Sequence, residues 1–565
     1  MPLPPPQSAY KAQLGLWFLN SAYRRFVSAR GRPGLDHGAH LYPLAPMTYR
    51  NSNGRTPNCS RCSAPWPPLE SPLRWLVAIA AAAGLAGPAL SAPTTSAGAS
   101  VPAPAQAAAP SVAPTQTQLE PSQIALLEDA LAKAPNHGFA QAAFTTQGLD
   151  DLLSSSDAAA RQAGQQKLIA AVMRYAKAVH TGRLTEAGFL EEWGLRPAPY
   201  DPMPDFNQAV IQDKLGPWLD SLPPPYTGYQ SLTQGLTAYR TIAAKGGWKP
   251  ISPGPALKLG SDSPRVMELR ARLAAEDPTV TADGPTAFDD ALAKGVMRAQ
   301  KRFGLKDDGV ADSATLAALN TPLDDRISQI VANLERWRWL PAELPVDRIQ
   351  VNIAAAILTV FHADAPTLSM RAVTGRPGDE TPMLHSQVQS IVFNPPWNVP
   401  SSIATKELWP KEKAHPGYFA KHDFIVITTP DGGKRLQQKA GDQAALGKFK
   451  FDFPNPYGVY LHDTPTQSTF SRFSRLSSHG CVRLQHPLIL ANALQQGDQT
   501  WTPETVDATL ATGKTVRAAL TQPVAVFLFY WTAYLGTDGM MNFRSDPYGW
   551  DATLMQRLRT PSGAV

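Results

Sequence analysis

The chain has 565 residues, enough for roughly three or four domains. Its net charge of +6 arises in the first 75 residues, which contain nine Lys or Arg and two acidic residues, whereas the rest of the chain contains 43 basic and 44 acidic side chains. A body without net positive charge does not favour a polyanion as partner, so we expect no nucleic acid to bind.

Residues 1–92 are typical of a basic N-terminal extension that ends in a signal peptide. A polar, basic stretch ends at Arg74, an apolar run follows, and small residues and prolines occupy the positions around 87–93. This order indicates export, with Met47 as a candidate for the true start. The apolar run is short for a transmembrane helix, so we expect cleavage; an uncleaved signal that holds the protein at the inner membrane is the alternative.

The chain has three cysteines. Cys59 and Cys62 form a single CxxC pair without the second pair or the histidines that a structural zinc site needs, so we predict no metal. The third cysteine is Cys481. An unpaired thiol in an exported protein suggests that the thiol is retained for a function.

Two helical regions follow a linker. Residues 93–117 carry no charge and are rich in Ala, Pro, Ser and Thr, which predicts disorder. Apolar residues at helical spacing then predict a helical scaffold over 118–250. Residues 257–320 predict a small domain of three amphipathic helices around an Asp-Gly turn, the last of them capped by Asp312.

The C-terminal half is predicted to be mostly β. Short strands separated by turns fill residues 345–520 and predict a sandwich or a small barrel, and the long stretch 400–447 within them predicts a lid. Residues 521–555 predict a C-terminal hairpin that packs on the scaffold or the catalytic domain, with its turn at Asp538-Gly539 between strands at 525–531 and 540–543. The predicted fold class is therefore multidomain α+β.

One stretch, residues 460–483, contains the candidate catalytic residues. Fifteen residues separate His462 from the motif SHGCVR at 478–483. A cysteine attacks acyl groups as its thiolate, so it needs a base within hydrogen-bond reach. Gly480 has no side chain, and the N–H groups around it are candidates for an oxyanion hole. For a Cys and a His taken alone, an ordinary buried thiol and an ordinary histidine are the commoner interpretation.

The full pattern resembles the signature of the YkuD-type L,D-transpeptidases: a His, about fifteen residues, then Ser/Thr-His-Gly-Cys, an apolar residue, and Arg or Asn. The resemblance implies that Cys481 is the nucleophile and His462 the base, with the second ring nitrogen of His462 held by the carbonyl of Asp463. His479 would assist or shape the site. Arg483 would suit a carboxylate of the stem peptide.

Three further strings resemble the YcbB group of this family: TGRPGDETPM at 374–383, NPPWNVP at 394–400 and LHDTP at 461–465. That group combines a helical scaffold, an inserted peptidoglycan-binding module and a β catalytic domain with a lid, and the helices of 257–320 resemble such a module. The resemblance covers roughly residues 120–555. We expect substrate contacts from the following residues, with core packing as the alternative for the two aromatic ones: Asn394, Trp397, Tyr460, Ser478 and Arg483.

The resemblance implies acyl transfer by a periplasmic enzyme that needs no cofactor. Cys481 attacks the carbonyl of the third residue of a tetrapeptide stem, D-Ala leaves, and N–H groups near Gly480 hold the oxyanion. The amine of a second stem then attacks the thioacyl enzyme and gives a 3→3 cross-link. The partners are therefore peptidoglycan stem peptides, as donor tetrapeptide and acceptor amine. The resemblance also implies acylation by carbapenems, and we expect His462 to lower the pKa of Cys481 below about 8.5.

Three other functions stay open. An L,D-carboxypeptidase would pass the same acyl group to water. A non-catalytic wall-binding protein would keep the module without the Cys–His pair, and here both are present. An unrelated cysteine peptidase has the least support, because no papain-like motif surrounds Cys481.

Overall fold

The structure is a computed structural model that describes residues 118–559. The predicted signal peptide, the start at Met47, the linker and the CxxC pair all lie outside the described residues. Within residues 118–559, no helix is both long enough and apolar enough to cross a membrane.

The first part of the described chain is helical, as predicted. In α3, apolar residues recur at helical spacing and are buried, among them Leu168, Val172 and Val179, so this face packs against the neighbouring helices. The bounds are α1 Pro121–Ala132, α2 Leu149–Leu153, α3 Ala158–Thr181, α4 Met203–Ile211, α5 Leu215–Ser221 and α6 Thr227–Ala244, with short 3-10 turns at Ala134–His137 and Glu186–Gly188.

The predicted three-helix domain is present as α7 Pro264–Ala274, α8 Asp290–Phe303 and α9 Ser313–Leu319, and α10 Leu323–Trp337 follows it. The predicted cap of its last helix is confirmed: the Asp312 carboxylate accepts a hydrogen bond from the Thr315 N–H at 2.8 Å. The domain does not close a core of its own. Its buried residues form one cluster with residues of α6, of α10 and of a C-terminal hairpin that includes Phe543.

The C-terminal part contains a sheet of nine strands in the order β10-β3-β11-β9-β8-β4-β12-β1-β2. Because β2 also pairs with β3, the sheet closes on itself as a small barrel. Fully buried residues such as Ile349, Phe451 and Val526 fill its core. The strands are β1 Asp347–Asn352, β2 Ile357–His362, β3 Ala365–Gly375, β4 Leu384–Phe393, β8 Phe449–Asp452, β9 Leu461–His462, β10 Leu476–Ser478, β11 Val482–Leu484 and β12 Val516–Phe529.

The predicted lid, between β4 and β8, is a small unit with its own apolar core, which includes Leu408, Phe419 and Leu436. A three-stranded sheet with the order β5-β7-β6 forms one part of it. The strands are β5 Trp397–Asn398, β6 Phe424–Thr428 and β7 Lys434–Gln438, and the helical segments are α11 Ser401–Ile403, a π-helical turn Ala404–Leu408, α12 Trp409–Ala414 and α13 Tyr418–Lys421.

The predicted boundary at residue 520 is wrong, because β12 crosses it. This strand lies inside the main sheet, antiparallel to β4 and parallel to β1, so the sheet of the catalytic region continues to Phe529. The C-terminal hairpin is shorter than predicted and consists of β13 Ala533–Leu535 and β14 Met541–Phe543 around the predicted Asp538-Gly539 turn. The remaining elements are a 3-10 turn Gln467–Ser471, α14 Pro487–Leu494, α15 Pro503–Ala511 and α16 Trp550–Arg559.

Candidate active site

Three neighbouring strands bring the candidate residues onto one face of the sheet. His462 on β9 pairs directly with Arg483 on β11 and with Lys450 on β8. Side chains two residues apart along a strand point to the same face. Cys481, two residues before Arg483, and Tyr460, two residues before His462, therefore continue the same face at the ends of their strands.

His462 is buried and oriented by the backbone. Its Nδ1 lies 2.5 Å from the carbonyl oxygen of Asp463, the partner that the sequence predicted. A carbonyl only accepts, so Nδ1 carries the hydrogen and Nε2 of the neutral ring is left as the proton acceptor. Burial, followed by the charge of Arg483, lowers the pKa of His462 to about 3. His462 is therefore neutral at physiological pH and able to act as a base.

The thiol of Cys481 lies beside Tyr460, whose backbone N–H and hydroxyl favour the ionised form of the sulfur. The indole N–H of Trp397 in turn favours the ionised form of the Tyr460 hydroxyl. Burial raises the pKa of the Cys481 thiol, and Tyr460 opposes this only in part. The prediction of a pKa below that of a free thiol is therefore wrong for this state, because desolvation outweighs the polar contacts.

The loop that carries Cys481, the candidate nucleophile, is held by hydrogen bonds on both sides. The Ser478 hydroxyl donates to the Cys481 carbonyl at 2.5 Å and accepts from the Gly480 N–H at 3.3 Å. The buried Thr381 hydroxyl donates to the Gly480 carbonyl at 2.7 Å and accepts from the Gly375 N–H at 2.8 Å. Gly480 has φ of 103°, a backbone conformation that favours glycine, which explains the residue at this turn.

The candidate residues open into a cavity of about 410 Å³ that the lid covers. Trp397 and Tyr460 line it, and so do His462, His479, Cys481 and Arg483. Among the described residues, no side chain accepts a hydrogen bond from the Arg483 guanidinium, so this cation is available to a ligand.

His479 connects the nucleophile loop to the lid. Its Nε2 lies 2.6 Å from a carboxylate oxygen of Glu407, in the π-helical turn of the lid. The hydrogen bond from His479 lowers the pKa of the Glu407 carboxyl. The Arg376 guanidinium lies 3.4 Å from the same carboxylate oxygen and also forms an ion pair with Asp379. The lid is thus tied to the barrel beside Cys481.

Of two predicted substrate contacts, Asn394 does not border the cavity, whereas Ser478 borders it and stays a prediction. Asn394 is buried and lies away from the cavity; its side-chain amide donates to the carbonyls of Leu510 and Lys514, both at 3.2 Å, so it holds the end of α15. The Ser478 hydroxyl, which borders the cavity, has both of its hydrogen bonds inside the nucleophile loop. Both side chains stabilise the loops around the site.

Sequence reasoning gave no role to three residues of the site. Thr381 lies in the TGRPGDETPM string, and the resemblance of that string to the YcbB group could have identified Thr381 as a residue of the site. Lys450 lies 4.3 Å from the centre of the Tyr460 ring and forms an ion pair with Asp452, and only the strand register places it beside His462. For Glu407 the sequence offered no signal beyond its place in the predicted lid.

The amino-acid sequence matches known families in three segments. Residues 346–506 match the family described as "L,D-transpeptidase catalytic domain" (YkuD). This segment is similar to a YkuD-type catalytic domain. Residues 116–236 match a "Scaffold domain", and residues 262–319 match a "Putative peptidoglycan binding domain". The order of scaffold, small helical domain and β catalytic domain agrees with the predicted fold class.

A curated protein of Haemophilus influenzae, named "Putative L,D-transpeptidase", is 32% identical over 248 residues, which is 41% of this chain and 50% of that protein. The chain therefore spans about half the length of the curated relative that it matches.

Solved structures that resemble the chain include an L,D-transpeptidase from Xylanimonas cellulosilytica, with 17% identity, coverage of 50% of this chain and 100% of that one, and a TM-score of 0.17. L,D-transpeptidase 1 of Mycobacterium tuberculosis has 14% identity, coverage of 33% and 61%, and a TM-score of 0.15. The catalytic domain of an E. faecium L,D-transpeptidase acylated by ertapenem has 13% identity, coverage of 33% and 99%, and a TM-score of 0.16. TM-scores this low carry no information on function.

Proposed function

We propose that the protein is a peptidoglycan L,D-transpeptidase that forms 3→3 cross-links through a thioacyl enzyme on Cys481. One observation carries the proposal: within the YkuD-type domain, Cys481 and a neutral histidine with a free acceptor nitrogen, His462, border the same lid-covered cavity. The combination with a helical scaffold and a lid further supports a place in the YcbB group, and the peptidoglycan-binding domain supports a site of action outside the cytoplasm.

Because the Cys481 thiol and the His462 ring both start neutral, the proton transfers follow a fixed order. His462 Nε2 takes the thiol proton as the sulfur attacks the carbonyl carbon, and then gives it to the amine of the departing D-Ala. The Tyr460 hydroxyl lies beside the sulfur and favours its ionised form, and the Cys481 N–H makes no hydrogen bond to another described residue. Both donors are therefore candidates for the oxyanion hole, in place of the Gly480 N–H, which the Ser478 hydroxyl occupies.

Arg483 supplies the charge that would bind the donor. Its guanidinium borders the cavity on the same face as Cys481, and burial lowers its pKa because the surrounding protein excludes water. A desolvated guanidinium binds a carboxylate more strongly than an exposed one and does so in a planar, bidentate geometry. A free carboxylate of the stem peptide is the chemical group that suits it.

The test combines a carbapenem with a muropeptide substrate. Intact-mass spectrometry of the purified protein should show one carbapenem adduct, and Cys481→Ala should show none while it keeps its circular dichroism spectrum. With disaccharide tetrapeptides, transfer gives dimers joined by 3→3 bonds, whereas a carboxypeptidase gives shortened monomers alone. An adduct on Cys481→Ala, or dimers formed by that variant, would refute the assigned nucleophile.

A further inference from the structure

Two histidines border the cavity beside Cys481, and the acyl-transfer chemistry proposed above uses one of them. The side chain of His462 is buried in the sheet, and its Nδ1 donates a hydrogen bond to the Asp463 carbonyl. Lys450 and Arg483 are its neighbours on the adjacent strands. A second positive charge, such as the ammonium form of an acceptor, is unfavourable at this wall of the cavity.

His479 occupies the other side, where the barrel meets the lid. Its side chain keeps 26% of its exposure, and its Nε2 lies 2.6 Å from the Glu407 carboxylate. A carboxylate only accepts hydrogen bonds, so Nε2 carries the hydrogen and Nδ1 of the neutral ring is the acceptor. Among residues 118–559, no donor hydrogen-bonds to Nδ1. The Glu407–His479 pair thus presents an oriented imidazole with an unused acceptor nitrogen in the wall of the cavity.

Resting on the proposed function, we infer that His479 accepts the proton of the attacking amine in the second half-reaction and that Glu407 is its positioning residue. The amine nitrogen bonds to the carbonyl carbon of the thioacyl enzyme, and the C–S bond breaks. The proton shed by the nitrogen passes to His479 Nδ1 and then to the departing Cys481 thiolate, which restores the thiol. No co-reactant is needed. Glu407 fixes the ring tautomer and offsets the charge of the protonated imidazole.

The competing explanation is that Glu407 only ties the lid to the barrel. Variants of two other residues that hold the lid distinguish this explanation from a role in proton transfer. Arg376 contacts the same carboxylate oxygen but does not touch His479. Glu412, five residues further along the lid, accepts hydrogen bonds from the N–H groups of Gly417 and Phe419 and supports the lid alone. Arg376→Gln therefore removes a lid tether, and Glu412→Gln weakens the lid, while both leave the His479 contact in place.

The experiment measures both half-reactions on the full chain with disaccharide tetrapeptide as donor and acceptor. Rapid-quench intact-mass spectrometry gives the rate of acyl-enzyme formation, and chromatography gives the rate of dimer formation. Glu407→Gln, which keeps the shape and loses the charge, should lower dimer formation about tenfold or more relative to acylation, so that acyl enzyme accumulates. Glu407→Asp should recover part of the loss, and the Arg376 and Glu412 variants should keep the wild-type ratio.

Three results would overturn the inference. The first is dimer formation by Glu407→Gln at the wild-type rate. The second is a fall in the acylation rate of Glu407→Gln equal to the fall in its dimer formation. The third is the same change in the ratio of the two rates in Arg376→Gln. The second and third results would mean that Glu407 shapes the whole cavity through the lid. If the wild type itself forms no acyl enzyme, the proposed function fails first, and the inference fails with it.

Discussion

Removing the base should change how the reactivity of Cys481 depends on pH. Burial lowers the pKa of His462 to about 3 and raises that of the Cys481 thiol above its ordinary value. Between these two values both groups are neutral, and proton transfer to His462 occurs during attack. The rate of carbapenem acylation in the wild type should therefore be nearly flat from about pH 5 to pH 8 and rise only as the thiol itself ionises.

His462→Ala should remove this plateau in the acylation rate. The size of the loss in rate follows from the fraction of the thiol that is ionised. An ordinary thiol with a pKa of about 8.5 is ionised to about 3% at pH 7, and the half-buried Cys481, whose pKa is raised, is ionised less than that. Without the base, only this fraction reacts, so acylation at pH 7 should fall about thirtyfold or more. The remaining rate should increase about tenfold per pH unit until the thiol ionises, so the gap to wild type narrows at high pH.

The assay is the pseudo-first-order rate of adduct formation by intact-mass spectrometry over pH 5 to 10 at constant ionic strength. His385→Ala is the matched control, because this exposed histidine of the same barrel stacks on Phe527, 6.0 Å between ring centres, and does not border the cavity. A wild-type rate that follows a single ionisation well below pH 8 would show a preformed thiolate. That result, or a His462→Ala variant that keeps the plateau, would refute the neutral-pair mechanism.

Three further predictions use other parts of the structure. Thr381→Val leaves the buried Gly480 carbonyl without its donor and should cost about 1–3 kcal/mol of unfolding free energy in urea, with slower acylation, whereas Thr381→Ser should remain near wild type. Deletion of 257–320 should yield unfolded protein by circular dichroism, because it exposes the core shared with Phe543; a folded, active deletion variant would contradict the shared core. Because burial lowers the pKa of His462 to about 3, whereas an unfolded histidine has a pKa of about 6.5, the free energy of unfolding should fall by about 1.4 kcal/mol per pH unit as the pH drops below about 6.5, and His462→Ala should flatten this slope.

The features that could be predicted from the sequence are those determined by residues close together along the chain. Helices α3 and α8 follow from apolar residues at helical spacing, and the start of α9 follows from its capping aspartate. The proposed nucleophile and base follow from a motif whose residues lie on adjacent strands, so that spacing in sequence corresponds to proximity in space. Even the anchor of His462 was predictable, because the carbonyl of Asp463 belongs to the next residue.

Long-range contacts account for what the sequence missed. Strand β12 shifts register between Ala519 and Val524, and the polar segment with Pro523 at this irregularity hides its first half from a strand pattern. Asn394 belongs to a string that resembles a substrate loop, yet its positive φ of 46° and its contacts with the end of α15 make it a structural residue. The direction of the Cys481 pKa shift depends on burial, which no local pattern reports.

Helix α10 contributes residues to the cores of two of the predicted domains and so connects them. Val331 and Leu334 lie in the core shared with the peptidoglycan-binding domain, whereas Ala332 lies in the core of the barrel. Asn333 bonds through its amide to the Thr532 hydroxyl at 2.7 Å, just beyond the end of β12. A domain on a flexible tether would only raise the local concentration of a substrate. A domain that shares a rigid helix with the barrel instead keeps a fixed position relative to Cys481, so any wall polymer bound by that domain would be held at a fixed distance from the thiol.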